Sequence, residues 1–135
     1  MKFLGWMLLG TIALLLTGTP AKAHHSFTAE YDDQQPVKLT GVLTKVEWIN
    51  PHIIYHVDVK GPSGNVVDWE FQALSPTTLH REQVTREMLV SNIGTVVTVE
   101  GYRAKNKSLS WAYGREITLS NGDKITTGFH HGDTE

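Results

Sequence analysis

A chain of 135 residues with 12 Lys and Arg against 14 Asp and Glu, a formal charge of −2 and no cysteine has the length of one small domain. The missing cysteine excludes a disulfide framework, an acylated-cysteine anchor and a thiol nucleophile. The absence of any basic patch or stripe argues against nucleic acid as a partner.

The chain opens on Lys2, an apolar run from Phe3 to Leu16, the helix-breaking Thr17-Gly18-Thr19-Pro20 and the small residues of Ala21-Lys22-Ala23. That order predicts a secretory signal peptide over residues 1–23, cut between Ala23 and His24, and a mature protein in the periplasm or secreted. An uncleaved anchor is the other reading. The 14 residues from Phe3 to Leu16 fall short of the roughly 20 that span a bilayer, so contact with the membrane is expected only during export. Cleavage takes Lys2 and Lys22 from the 12 cations and none of the 14 acids, leaving 10 against 14, a charge of −4 on 112 residues. A chain of that size can bury a core without a structural metal.

From Pro36 to Trp48 the apolar residues alternate with a change of phase, Val37 and Leu39 on one parity and Val42, Val46 and Trp48 on the other, which predicts a strand with a bulge or bend at Gly41. Asn50-Pro51 then turns the chain. Ile53, Tyr55, Val57 and Val59 alternate cleanly with His52, Ile54, His56 and Asp58, and Val67, Trp69, Phe71 and Ala73 alternate with Asp68, Glu70 and Gln72. With Gly61-Pro62-Ser63-Gly64-Asn65 between them, these are two strands of a hairpin. Ser75-Pro76 and Thr85 are start signals for two short helical segments. A strand from Gly94 to Tyr102, a run from Leu109 to Leu119, the turn signal Asn121-Gly122 and a last strand from Ile125 to Thr127 follow. The expected fold is mostly β: a small OB-like, partly closed barrel of five or six strands over residues 24–127 with a short helical insertion, followed by a polar tail at 128–135. A β-sandwich is the alternative.

Cleavage at Ala23 would put a free amine and an imidazole on one residue, His24, and both are good ligands for a tetragonal divalent ion, copper(II) above all. Copper sites on an N-terminal histidine add one further imidazole, which His52, His130 or His131 could supply. Alternatively, the amine, the amide nitrogen of His25 and its imidazole chelate the ion locally. A mobile terminus with incidental histidines is the plain alternative. His52 follows the Asn50-Pro51 turn and is expected at the mouth of the barrel, where ligands bind, with Trp48, Asn50, Trp69 and Glu70 as further candidate ligand-binding residues; the same corner also reads as a purely structural one. If Lys60 pairs with Val66, His56 stands opposite Glu70 and Asp58 opposite Asp68 on the outer face. That group reads either as an acid/base or metal patch or as an ordinary solvated face. No G-x-S-x-G, phosphate loop or nucleophile triad is present, so catalysis is not the leading expectation.

The runs His24-His25-Ser26-Phe27, Glu30-Tyr31-Asp32, Pro36-Val37-Lys38-Leu39-Thr40-Gly41, Val46-Glu47-Trp48-Ile49-Asn50-Pro51-His52, Asp58-Val59-Lys60, Trp69-Glu70-Phe71, Ser75-Pro76 and Val97-Thr98-Val99-Glu100-Gly101-Tyr102-Arg103-Ala104 resemble the bacterial exported family known as domain of unknown function 6152. The likeness extends over essentially the whole mature chain. It implies a His-His-Ser-Phe start directly after the signal peptide, a Trp-x-Asn-Pro-His corner after the first long strand and a linked role for His24, His25 and His52, and it implies no activity. The chain departs from it at His80-Arg81-Glu82-Gln83-Val84-Thr85, where the family has Arg-Arg-Gly-Trp-Thr, and at Phe129-His130-His131, which replaces a short Gly/Ser end. The leading functional expectation is handling or sensing of a transition metal, copper(II) favoured, through His24 with His25 or His52. The alternative is a metal-independent module that binds a small molecule, a glycan or a protein at the barrel mouth; a third reading is an oxidative copper enzyme on the same amino-terminal ligands.

Overall fold

The computed structural model describes residues 27–129. A helical turn at residues 27–30 leads into β1 (Tyr31–Glu47), followed by β2 (Ile54–Lys60), β3 (Val66–Gln72), the short helices α1 (Pro76–Arg81) and α2 (Arg86–Val90), then β4 (Val96–Ala104), β5 (Trp111–Thr118) and β6 (Lys124–Thr126). The strand order is β3-β2-β1-β4-β5-β6, and a parallel pairing of β3 with β5 closes the ring. The result is a five-stranded mixed barrel of the OB-like kind expected, with β6 added beside β5 and both helices inserted between β3 and β4.

Closure removes the free edges that a five-stranded sheet would otherwise expose. Inward-facing Leu43, Tyr55, Val57, Phe71, Val99 and Ile117 are all fully buried. Each short helix adds one fully buried leucine to that core, Leu79 from α1 and Leu89 from α2. Burying a leucine stabilises by about 1.5–3 kcal/mol, which explains how helices too short to persist alone are held. The predicted cap of α1 forms, with Thr78 N donating to Ser75 Oγ at 3.1 Å and Pro76 in the first turn.

The change of phase in β1 lies two to four residues later than the sequence suggested. Register against β2 shifts between Leu43 and Lys45, so Val37, Leu39 and Leu43 share the inner face before the bulge and Val46 and Trp48 after it. Val42 is turned outward and 37% exposed. Val42-Leu43 is an apolar pair on opposite parities, and the larger leucine takes the core. Gly41 serves a different purpose, since a Cβ there would overlap the carbonyl oxygen of Asp58 and lie 2.8 Å from its carbon. The glycine lets β1 and β2 approach where β1 passes from one partner strand to the other.

A second, smaller core lies outside the barrel wall. Phe27, Tyr31, Ala104 and Tyr113 are buried together there, with Tyr102, Trp111 and Phe129 packed against them. The helical turn is tied down by Lys105 N, which donates to Glu30 O at 2.8 Å.

Candidate functional site

Two places on the structure concentrate groups with chemistry, and both depend on the β2–β3 hairpin. Its register is the predicted one: Lys60 pairs with Val66, Asp58 with Asp68 and His56 with Glu70. Alternation turns His56, Asp68 and Glu70 to the outer face. The ring of His56 lies between two carboxylates, with Nδ1 at 3.0 Å from Asp68 Oδ2 and Nε2 at 3.3 Å from Glu47 Oε2. Lys45 Nζ holds the other oxygen of Glu47 at 2.6 Å.

Burial works against charge on His56, whose side chain is only 12% exposed. The hydrogen bonds to Asp68 and Glu47 outweigh that cost and raise its pKa above the ordinary histidine value. The Lys45 hydrogen bond, and then that of His56, hold the Glu47 carboxyl below its usual range. One imidazole atom and one oxygen each from Asp68 and Glu70 lie within 4.8 Å of one another, a donor set that could exchange a proton for a divalent ion.

Because the folded-state pKa of His56 lies above the value of about 6.5 expected in the unfolded chain, its ion pairs contribute fully below pH 6.5 and fade as pH rises through the folded value. Replacing His56 by Gln is expected to cost about 0.5–1 kcal/mol at pH 5.5 and much less at pH 8.5. Urea denaturation of both proteins at the two pH values measures this, and a cost that grew toward pH 8.5 would contradict the protonated ring.

The second place is the corner between β1 and β2. His52 is exposed and its Nδ1 lies 3.0 Å from the carbonyl oxygen of Ala73. A carbonyl only accepts, so Nδ1 carries the proton and the lone pair of a neutral ring is on Nε2. This is the arrangement found at metal-ligating histidines, where a hydrogen bond on one ring nitrogen fixes the tautomer and orients the other. Gln72, the residue before Ala73, accepts a hydrogen bond from Tyr31 Oη at 3.0 Å, and Tyr31 packs on Phe27 with ring centroids 5.4 Å apart. The exit of β3 therefore holds both the His52 corner and the start of the described chain.

The remaining candidates divide between faces. Trp48 is half-buried against the barrel core, while Asn50 is exposed beside His52 at the corner. Trp69 also packs on the core, stacked on Phe71 at 6.3 Å and covered by the Arg103 guanidinium at 4.8 Å. It sits three residues from Gln72, about 10 Å down the strand. Glu70 is on the outer face near His56. His24, His25 and the signal-peptide residues lie outside the described residues, as do His130 and His131.

Sequence reasoning missed Glu47 as a partner of His56. Lys45 is the residue in register with His56, and the bulge beside it decides which neighbour reaches the ring. The aromatic cage around Phe27 was missed too, although Tyr102, Trp111 and Tyr113 carried a signal as large apolar residues on parities that ought to face water.

Among comparisons with known proteins, a family profile matches residues 13–112, a span that takes in His24, His25 and the Trp48-to-His52 corner and stops at the second residue of β5. No curated protein and no solved structure matches the chain. With most of its length matched, the chain belongs to DUF6152, a family of unknown function.

Proposed function

We propose that this is an exported protein whose mature chain begins at His24 and binds a transition metal ion, copper(II) in preference, through the amine and imidazole of His24 with His25 or His52. The observation that carries this reading is the tautomer of His52: its Nδ1–H is spent on the Ala73 carbonyl, which leaves Nε2 as a ligand atom at an exposed corner. Phe27 supports it from the other side. Three residues after His24, this ring is 4% exposed in the aromatic cage that Tyr31 joins to Gln72, next to Ala73. An amine and one or two imidazoles suit copper(II), which favours nitrogen donors in a tetragonal plane. A role in holding, delivering or sensing the ion fits a donor set of this kind.

The test is titration of the chain starting at His24 with copper(II), followed by electron paramagnetic resonance, beside a chain acetylated at His24 and a His52→Ala variant. One-to-one binding is expected, weakened at least about a hundredfold, or about 2.7 kcal/mol, by acetylation. Weakening in His52→Ala as well assigns the second imidazole to the corner; indifference there assigns it to His25. Absence of binding, or binding that ignores acetylation, overturns the proposal and leaves the metal-independent module.

A further inference from the structure

On the outer wall of the barrel, the pairing of β2 with β3 sets His56 directly opposite Glu70, and alternation puts Asp68 on the same face two residues back along β3. One ring nitrogen of His56 and one carboxylate oxygen each from Asp68 and Glu70 lie within 4.8 Å of one another. Three points so spaced all fall within about 2.8 Å, the side divided by √3, of a common centre. Bonds from zinc to imidazole and carboxylate are about 2.0–2.2 Å, so a closing movement of under about 1 Å per donor brings all three onto one ion. Two donors share a strand and the third is a register partner, so the strand ladder rather than a loop holds the spacing.

The ring is oriented as a ligand. Asp68 Oδ2 meets Nδ1 at 3.0 Å, Glu47 Oε2 meets Nε2 at 3.3 Å, and Lys45 Nζ holds the second oxygen of Glu47 at 2.6 Å. With the proton of a neutral ring on Nε2 and donated to Glu47, the lone pair of Nδ1 is turned to Asp68. Metal-bound histidines characteristically give their other ring N–H to a carboxylate in this way. Glu47 comes from β1 and stands outside the three-donor group.

Charge points the same way. Glu47, Asp58, Asp68 and Glu70 lie on this face with Lys45 and Lys60, a formal balance of −2 around a neutral imidazole that a divalent cation cancels. The hydrogen bonds of His56 go to Asp68 and Glu47, while Glu70 acts on the ring through its charge.

We propose that Nδ1 of His56, Asp68 and Glu70 form a zinc(II) site on the barrel wall, separate from the amino-terminal histidines and independent of them, with water completing the coordination. One imidazole and two carboxylates are a harder donor set than an amine with imidazoles. Zinc(II) imposes no geometry of its own and accepts such a trio, leaving a fourth position to water. Binding sends the proton that Nδ1 otherwise shares with Asp68 to solvent, and Glu47 retains the one on Nε2.

The experiment is calorimetric titration of zinc(II) at neutral pH into a His24→Ala/His25→Ala chain starting at residue 24, and into the same chain carrying Glu70→Gln, with the imidazole nitrogen resonances followed by NMR. The first protein is expected to bind one ion and to shift Nδ1 of His56. Glu70→Gln should weaken binding at least about tenfold, since even the loss of a group hydrogen-bonded to a ligand costs about 10–100-fold. The metal-free melting temperature should change little, because both hydrogen bonds of His56 remain. A purely structural Glu70 would leave the affinity where it was. No zinc binding, binding indifferent to Glu70→Gln, or His56 resonances that stay in place would each overturn the site. Both chains lack the amino-terminal histidines, so that failure leaves the copper reading standing, and failure of the copper reading leaves this site intact.

Discussion

Gly101→Ala is expected to cost the protein more than about 4 kcal/mol of stability. Gly101 faces Gly114 across β4 and β5, next to a shift of register between Glu100 and Gly101. A methyl group there would overlap the Tyr113 carbonyl oxygen, with the carbonyl carbon 2.9 Å and Arg115 N 3.3 Å away. All three atoms belong to the backbone of the paired strand, so no rotamer change relieves the overlap. Relief requires the strands to part, and this pair is central to the barrel: β5 bonds β4 on one side and β3 on the other. Overpacking of a tolerant core costs about 1–3 kcal/mol; a clash between two backbones is expected to exceed 4 kcal/mol, at the top of the range for single substitutions. Against a total of about 5–15 kcal/mol, that removes about a quarter of the stability or more. The melting temperature should fall by at least about 15 °C, since 1 kcal/mol corresponds to about 4–8 °C in a domain of this size. Urea and thermal denaturation of purified protein measure the change. A fall of only a few degrees would mean that the bulge can slide, and that Gly101 is a convenience of the fold rather than a requirement.

Local signals made the hairpin legible and tertiary ones hid the rest. Clean alternation on both sides of Gly61-Pro62-Ser63-Gly64-Asn65 fixes the register of β2 on β3, because a slip by one residue would turn Tyr55, Val57 and Phe71 into water. The helical insertion was legible from Ser75-Pro76 for the same local reason. The bulge in β1 was not: Val42-Leu43 offers two phases, and only packing against β2 and β4 selects the one that buries Leu43. With the bulge misplaced, Glu47 could not be assigned to the ring of His56. The same alternation that revealed the hairpin also separates Trp69 from Glu70, adjacent residues on opposite faces, so the two cannot share one surface as readily as the corner residues Asn50 and His52. The parallel closure of β3 on β5 and the aromatic cage join segments far apart in the chain, and no periodicity encodes either of them.

Phe27→Ala is the change expected to separate structure from function most clearly. The ring is 4% exposed and meets four other aromatic rings, Tyr31 at 5.4 Å, Tyr102 at 5.8 Å, Tyr113 at 5.1 Å and Phe129 at 5.1 Å. Truncating a buried phenylalanine costs about 3–5 kcal/mol. The lower end is expected here, because the cage lies outside the barrel wall and Phe129 has room to settle into part of the space, whereas the barrel core, a separate cluster, is left intact. Copper should feel the change more specifically. A ligand that binds only the folded protein stabilises it by RT ln(1 + [L]/Kd), about 2.7 kcal/mol at a hundredfold excess over Kd. In the natural chain that increment is expected in full. Phe27 is the described residue nearest in sequence to the amino-terminal ligands proposed above, and Phe27→Ala removes its packing against Tyr31, Tyr113 and Phe129, so under that proposal the copper-dependent increment should shrink at the same free copper concentration. Urea denaturation with and without copper(II) supplies all four values needed. If the variant were weaker by about 3 kcal/mol yet gained as much from copper as the natural chain, the cage would be a structural device alone, and the metal would be held by residues that do not depend on where Phe27 is anchored.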